Sequence, residues 1–136
     1  MAPATPIRVL IADDSPTALR SVCDYLEFAG GFEIVGTASD GQNAVHLTSL
    51  RQPDLVLLDL SMPRVNGLEA AEQIRLSSPD LRVIIFSELH GLSLADECRR
   101  HGADSFVPKS LLPEGLLIEI QRLFSRGQSK EASASN

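Results

Sequence analysis

Five side chains that could act together stand where short apolar runs end: Asp13 and Asp14 after the first run, Asp59 after the third, Ser87 after the fourth and Lys109 after the fifth. If the fold brings them to one edge, three carboxylates crowd together. Two like charges about 4 Å apart cost roughly 4 kcal/mol at an effective dielectric of 20, so the group must protonate, separate or bind a cation. A carboxylate cluster with water and a phosphate oxygen suits Mg²⁺, whereas zinc favours His or Cys. A carboxylate beside such a cation is also a nucleophile toward a phosphoryl group, with the Lys109 ammonium supplying further positive charge. Ser87 has no adjacent histidine and no G-x-S-x-G elbow, so it reads as a phosphate ligand and not as a nucleophile.

The elements that must position these residues follow from patterning. Ile7 to Ala12, Phe32 to Ala38, Leu55 to Leu58 and Leu81 to Phe86 are apolar runs. Three of them are nearly continuous, as in strands buried on both faces. Between them lie segments of helical period, such as Leu19, Val22, Cys23 and Leu26, and later Leu116, Ile120, Leu123 and Phe124. Ser15-Pro16 and Pro113-Glu114 mark helix starts, and Gly102 a helix end. A short fifth strand near Asp104 to Val107 runs into Pro108, which suits a sheet edge. Repeated βα units predict an α/β doubly wound (βα)5 architecture of flavodoxin-like type, with a parallel five-stranded sheet in the order 2-1-3-4-5. In that order the first and third strands are neighbours, and Asp13, Asp14 and Asp59 share a pocket at the carboxyl edge.

At 136 residues the chain fits one domain. The expected organisation is an N-terminal tail over residues 1–6, the domain over 7–126, and a disordered tail or linker stub over 127–136. The net charge of −6 and the lack of a Lys/Arg cluster argue against direct nucleic-acid binding. No run reaches membrane-spanning length, and no signal-peptide pattern opens the chain, so a cytoplasmic protein is expected. Cys23 and Cys98 fall on apolar helical faces without CxxC spacing and read as packed thiols. His46, His90 and His101 lack metal-ligand spacing and read as surface or capping residues.

Each fragment alone has a plainer explanation. Asp13-Asp14 could favour a helix dipole, Asp59 could open a turn, Ser87 could end a strand, and Lys109 could be a solvated charge. Joint placement at four strand ends weighs against coincidence. The segments Ala12-Asp13-Asp14-Ser15, Leu57-Leu58-Asp59-Leu60-Ser61-Met62-Pro63, Phe86-Ser87 and Gly102-Ala103-Asp104-Ser105-Phe106-Val107-Pro108-Lys109 occur in order. In these, Ile7 to Phe124 closely resembles bacterial response-regulator receiver domains of two-component systems, of the single-domain, chemotaxis-regulator-like kind.

The resemblance implies Asp59 as phosphoacceptor, Asp14 as a direct Mg²⁺ ligand, Asp13 as a supporting one, and the Ser61 backbone carbonyl as another. It implies Ser87 and Lys109 as phosphate contacts and Phe106 as the aromatic that turns inward on phosphorylation. It further implies a histidine kinase or phosphotransfer protein as donor. A downstream protein would read the face formed by the fourth helix, fifth strand and fifth helix, and the receiver would be a monomer or a dimer formed on phosphorylation. Three residues depart from the common pattern. Phe106 lacks a phenolic hydroxyl, and Glu88 stands where a small residue is usual and could modulate access. Ser110 replaces the proline of Lys-Pro, so a trans Lys109-Ser110 bond is expected, a cis non-proline bond costing about 2.5 to 4 kcal/mol.

Three alternatives stay open on the sequence. The chain could be the receiver portion of a longer DNA-binding transcription regulator, a non-phosphorylated receiver-like binding module, or an aspartate-nucleophile phosphatase or phosphotransferase. Against the last, a D-x-D enzyme carries a second Asp two residues on, and that position here is Ser61. No turnover reaction is expected.

Overall fold

In the computed structural model, which describes residues 5–89 and 91–134, the apolar run Ile7–Ala12 forms the first strand, β1. It is followed by α1 (Pro16–Ala29), β2 (Phe32–Ala38), α2 (Gly41–Arg51), β3 (Leu55–Asp59) and α3 (Gly67–Ser77). Then come β4 (Arg82–Ser87), α4 (Leu92–Arg100), β5 (Ser105–Pro108), a 3₁₀ turn (Lys109–Leu111) and α5 (Glu114–Ala134). The five strands are parallel and lie in the order β2-β1-β3-β4-β5, as the sequence predicts, with β2 and β5 at the edges.

Successive strand residues point to opposite sheet faces, and the central strands fill two cores in this way. Leu10, Val56, Leu58, Val83 and Ile85 join Ala44 of α2, Ala70, Ala71 and Ile74 of α3, and Cys98 of α4. Val9, Ile11, Leu55, Leu57, Ile84 and Phe86 join Val22 and Leu26 of α1 and Leu116, Ile120 and Leu123 of α5. The two-sided burial explains why these strands read as continuous apolar runs. Edge strand β2 is only partly covered along most of its length.

The helix starts are chemically marked. Ser15 Oγ accepts the Ala18 N–H ahead of Pro16, Asp40 caps α2 through the Asn43 N–H, and Asn66 forms a reciprocal capping box with Glu69 at α3. Helix α4 begins at Gly91 with no side-chain cap. Helix α5 runs to Ala134, into the segment 127–136 that the sequence reads as a tail or linker stub. Residues 135 and 136, the end of that predicted tail, and residues 1–4 of the N-terminal one lie outside the described residues.

At the amino edge of the sheet, Arg75 of α3 ties together chain segments that sequence periodicity cannot relate. Its guanidinium donates to the carbonyls of Pro79 (2.7 Å), Leu81 (2.6 Å) and Gly102 (2.8 Å) and to Asp104 Oδ2 (2.7 Å). Asp104 Oδ2 also accepts the Val83 N–H at 2.7 Å. The entries to β4 and β5 are therefore fixed to one another, which positions Phe106 on β5 and Lys109 just after it.

At the carboxyl edge, α3 starts directly against β3. A Cβ at Gly67 would sit 2.5 Å from the Asp59 carbonyl oxygen and 2.9 Å from Leu60 Cα, while the Gly67 N–H donates to the Leu60 carbonyl at 2.8 Å. Gly67→Ala gains at most about 1 kcal/mol in helix propensity, but overpacking against backbone costs about 1–3 kcal/mol. A net destabilisation of about 1–2 kcal/mol is expected in urea denaturation, and an unchanged midpoint would show that the contact is loose.

Candidate functional site

Strand register brings the acidic residues together. Ala12 pairs with Leu58 across β1 and β3, so Asp13 and Asp59 are the next residues on neighbouring strands, and Asp59 pairs with Phe86 of β4. Asp13 is fully buried, Asp59 is 5% exposed, and Asp14 is exposed at the mouth. One carboxylate oxygen from each of the three lies within 4.8 Å of the others. All five residues singled out from the sequence therefore stand at the carboxyl edge, where open α/β sheets bind ligands.

Lys109, the residue after β5, bridges the cluster. Its Nζ donates to Asp13 Oδ2 at 3.0 Å and lies 3.4 Å from Asp59 Oδ1, and it stands 5.3 Å from the centroid of the Phe86 ring. The second Asp13 oxygen accepts the Ser15 N–H at 2.9 Å, which fixes the carboxylate in place at the entry to α1. The Lys109–Ser110 bond is trans, as the missing proline predicts; the cis bond among the described residues is Leu112–Pro113.

The charges explain the titration. Burial, then the neighbouring Asp13 charge, push the Asp59 carboxyl up to about 7, against the opposing pull of Lys109. Burial also pulls the Lys109 ammonium down, but its hydrogen bond to Asp13 and the Asp59 charge outweigh this, and the net shift is upward. Three carboxylates against one ammonium leave two negative charges when all are ionised. The donor set is oxygen only, with one exposed and two buried carboxylates, and it fits a hard divalent cation such as Mg²⁺.

Ser87 is 2% exposed, and its Oγ accepts the Leu89 N–H at 3.0 Å, leaving its own O–H free to donate. Glu88 and Ser61 are exposed on the loops that border the pocket. Phe106 is half-buried against the core cluster that contains Cys98 and Ile85. Cys98 is buried and Cys23 half-buried, both with free thiols; burial, ahead of neighbouring acids, raises both, Cys98 to about 11. His46 is exposed, and His90 lies outside the described residues. His101 Nδ1 lies 3.1 Å from Glu72 Oε2 of α3, a neighbour that sequence spacing did not reveal. Sequence reasoning also missed the ion pair between Arg64, in the loop after β3, and Asp40; the only local hint was Asp40-Gly41 as a helix cap.

A raised Asp59 pKa has a definite sign for stability. Between the unfolded value near 4 and the folded value near 7, the folded chain keeps a proton that the unfolded chain has released. Metal-free stability therefore declines as pH rises through that window and levels off above it. Asp59→Asn should remove this contribution, stabilising the protein by about 1–2 kcal/mol at pH 7.5 and by little at pH 4. Urea melts in EDTA at both pH values check this; equal pH profiles for the two proteins would contradict the raised pKa.

Residues 9–121 match the family model described as the response regulator receiver domain. The chain is 31% identical over 139 residues to a protein-glutamate methylesterase/protein-glutamine glutaminase of Clostridium acetobutylicum, covering 96% of this chain and 40% of that protein. It is 34% identical over 117 residues to the nitrate/nitrite response regulator protein NarL of Escherichia coli, covering 86% and 54%. The chain thus spans about half the length, or less, of these curated relatives. Among solved structures, a chain of the CheX–CheY–BeF₃–Mg²⁺ complex from Borrelia burgdorferi superposes with a TM-score of 0.83 at 31% identity, covering 88% of this chain and 90% of that one. With the five-stranded order and the carboxyl-edge acidic pocket already in place, these matches establish that the chain belongs to the response-regulator receiver domains of two-component signalling.

Proposed function

We propose that this receiver accepts a phosphoryl group on Asp59 from the phosphohistidine of a histidine kinase or phosphotransfer protein. The observation that carries this reading is the Lys109 ammonium held between Asp13 and Asp59, 3.0 Å and 3.4 Å away, beside an all-oxygen donor cluster. An Asp59 carboxylate oxygen attacks phosphorus. The new P–O bond forms as the donor's P–N bond breaks, and the departing imidazole keeps the electron pair and takes up a proton.

Asp13, Asp14, Asp59 and the Ser61 carbonyl would hold Mg²⁺, which supplies charge neutralisation at the phosphoryl oxygens. Because Asp59 must be ionised to attack, the positive charge of Lys109 is needed before transfer as well as after it. Once phosphorus is bound, Lys109 can follow the charge to a phosphoryl oxygen while keeping Asp13 as its second anchor. The free O–H of Ser87 donates to another oxygen.

Movement of Ser87 toward the phosphoryl group clears space beside β5, and half-buried Phe106 turns into it. The bistable element is then the α4-β5-α5 face, and phosphorylation biases it. Leu92 on α4 and Ile118 on α5 are 88% and 63% exposed, apolar side chains that a downstream protein could cover. The protein would act in the cytoplasm, as a monomer or as a dimer formed on phosphorylation. None of the described helices is long and apolar enough to cross a membrane. The domain is read as residues 7–126. Glu88, exposed next to Ser87, places a carboxylate where an anionic donor must approach.

With Mg²⁺ and acetyl phosphate, intact mass should show one phosphoryl addition to the wild type and none to Asp59→Asn or in excess EDTA. Addition to Asp59→Asn would move the acceptor elsewhere. Glu88→Ala should react about two- to fivefold faster with the same donor, the size expected for relieving one screened like-charge contact. Equal initial rates would remove Glu88 from the access role.

A further inference from the structure

The loop between β3 and α3 carries Ser61 and is fastened in an unusual way. Arg64 adopts φ +68°, a left-handed conformation that L residues other than Asn and Asp seldom take. The Val65 N–H donates to the Pro63 carbonyl at 2.8 Å, closing a three-residue γ-turn centred on Arg64. With positive φ at its centre, this is the rarer and strained hand of that turn. Such a conformation persists only where the surroundings over-determine it.

The surroundings do so through α2. Arg64 Nη1 donates to Asp40 Oδ2 at 2.7 Å, while Asp40 Oδ1 accepts the Asn43 N–H at 2.8 Å as the cap of α2. The Asn43 N–H and then the Arg64 guanidinium hold the Asp40 carboxyl below the ordinary carboxylate range, against the effect of burial. The Asp40 side chain is 9% exposed and that of Arg64 67%, so the arginine reaches in from solvent to a fixed carboxylate. Next to Asp40, a Cβ at Gly41 would stand 1.8 Å from the Val65 carbonyl oxygen. The loop backbone therefore lies directly on the first residue of α2. Met62 is buried in the core on one side of Arg64, and Asn66 is locked in the α3 capping box on the other.

We propose that the Arg64–Asp40 ion pair is a tether that holds this strained turn and so sets the position of the Ser61 carbonyl toward the cation site. Arg64 and Asp40 are positioning residues. The inference rests on the proposed role of Ser61, Asp13, Asp14 and Asp59 as the Mg²⁺ site. Mg²⁺ demands near-octahedral oxygen geometry at short distance, so a backbone ligand on a loosened loop is a poorer ligand. Groups that orient metal ligands typically change affinity by 10- to 100-fold when lost. A partly exposed ion pair acting through one backbone ligand should lie at or below the lower end.

The test is Mg²⁺ titration by calorimetry on the full chain, with thermal melts alongside. Arg64→Gly deletes the guanidinium while permitting the positive φ, and Asp40→Asn deletes the charge while keeping a competent helix cap. Each should weaken Mg²⁺ binding by about three- to tenfold. The double variant should be no weaker than either single, and Arg64→Lys should recover part of the loss. Wild-type Mg²⁺ affinity in both single variants would overturn the tether, as would a lowered melting temperature with unchanged affinity. Losses that simply multiply in the double variant would also overturn it, since two residues acting as one pair cannot show independent effects. If the wild type itself failed to bind Mg²⁺, the site assignment would fall first and the tether with it; binding by the wild type separates the two failures.

Discussion

Like-charge repulsion at the carboxyl edge is the constraint around which the rest of the molecule is arranged. The parallel register of β1 and β3 leaves Asp13 and Asp59 side by side, and Asp14 adds a third carboxylate at the mouth. Lys109 answers only part of that charge, and burial makes the remainder costly, which is why Asp59 holds its proton far above the ordinary carboxylate range. The pocket is consequently a place where added positive charge or a changed protonation state is felt strongly. An arrangement that is unfavourable for the resting fold is thereby suited to a site that must respond to a change in charge.

Keeping such a pocket intact requires rigid support from both ends of the sheet. Two cores, one on each face, bury β3 along its whole length and β1 and β4 beyond their first residues, and leave them little freedom to slide. At the amino edge Arg75 and Asp104 fasten β4, β5 and the turn after α4 to one another. At the carboxyl edge the close approach of Gly67 to Asp59 and of Gly41 to Val65 holds the loops against the strand ends. Between these fixed points, α4 begins without a side-chain cap, and exposed Leu89 and Leu92 flank its start. That start lies a few residues past Ser87, while Cys98 farther along α4 is buried in the core.

Much of the fold was legible from local signals. Continuous apolar runs identify strands covered on both faces, helical periods identify what covers them, and Ser15-Pro16 marks where α1 starts. Pro108 identified an edge strand because it cannot donate to a ladder. How far α5 runs was not legible, because tertiary context sets helix ends as much as local propensity does. Arg75, the Arg64–Asp40 pair and the His101–Glu72 contact were equally invisible: each joins residues 24 to 29 positions apart through side-chain geometry that no periodicity encodes.

For the site itself, the sequence determined which chemical groups are available and that they stand at strand ends: Asp13, Asp14, Asp59, Ser87 and Lys109 follow or close successive apolar runs, and residue type alone excludes a thiol or imidazole metal site there. Only the tertiary structure decided their distances, burial and partners. Asp13 is sealed and bound to Lys109 while Asp14 faces solvent, although the two are neighbours in the chain and chemically identical. The physical reason is that successive residues leaving a strand point in different directions. Which of them meets a charge arriving from β5 is set by sheet order and register, quantities that exist only once the chain has folded.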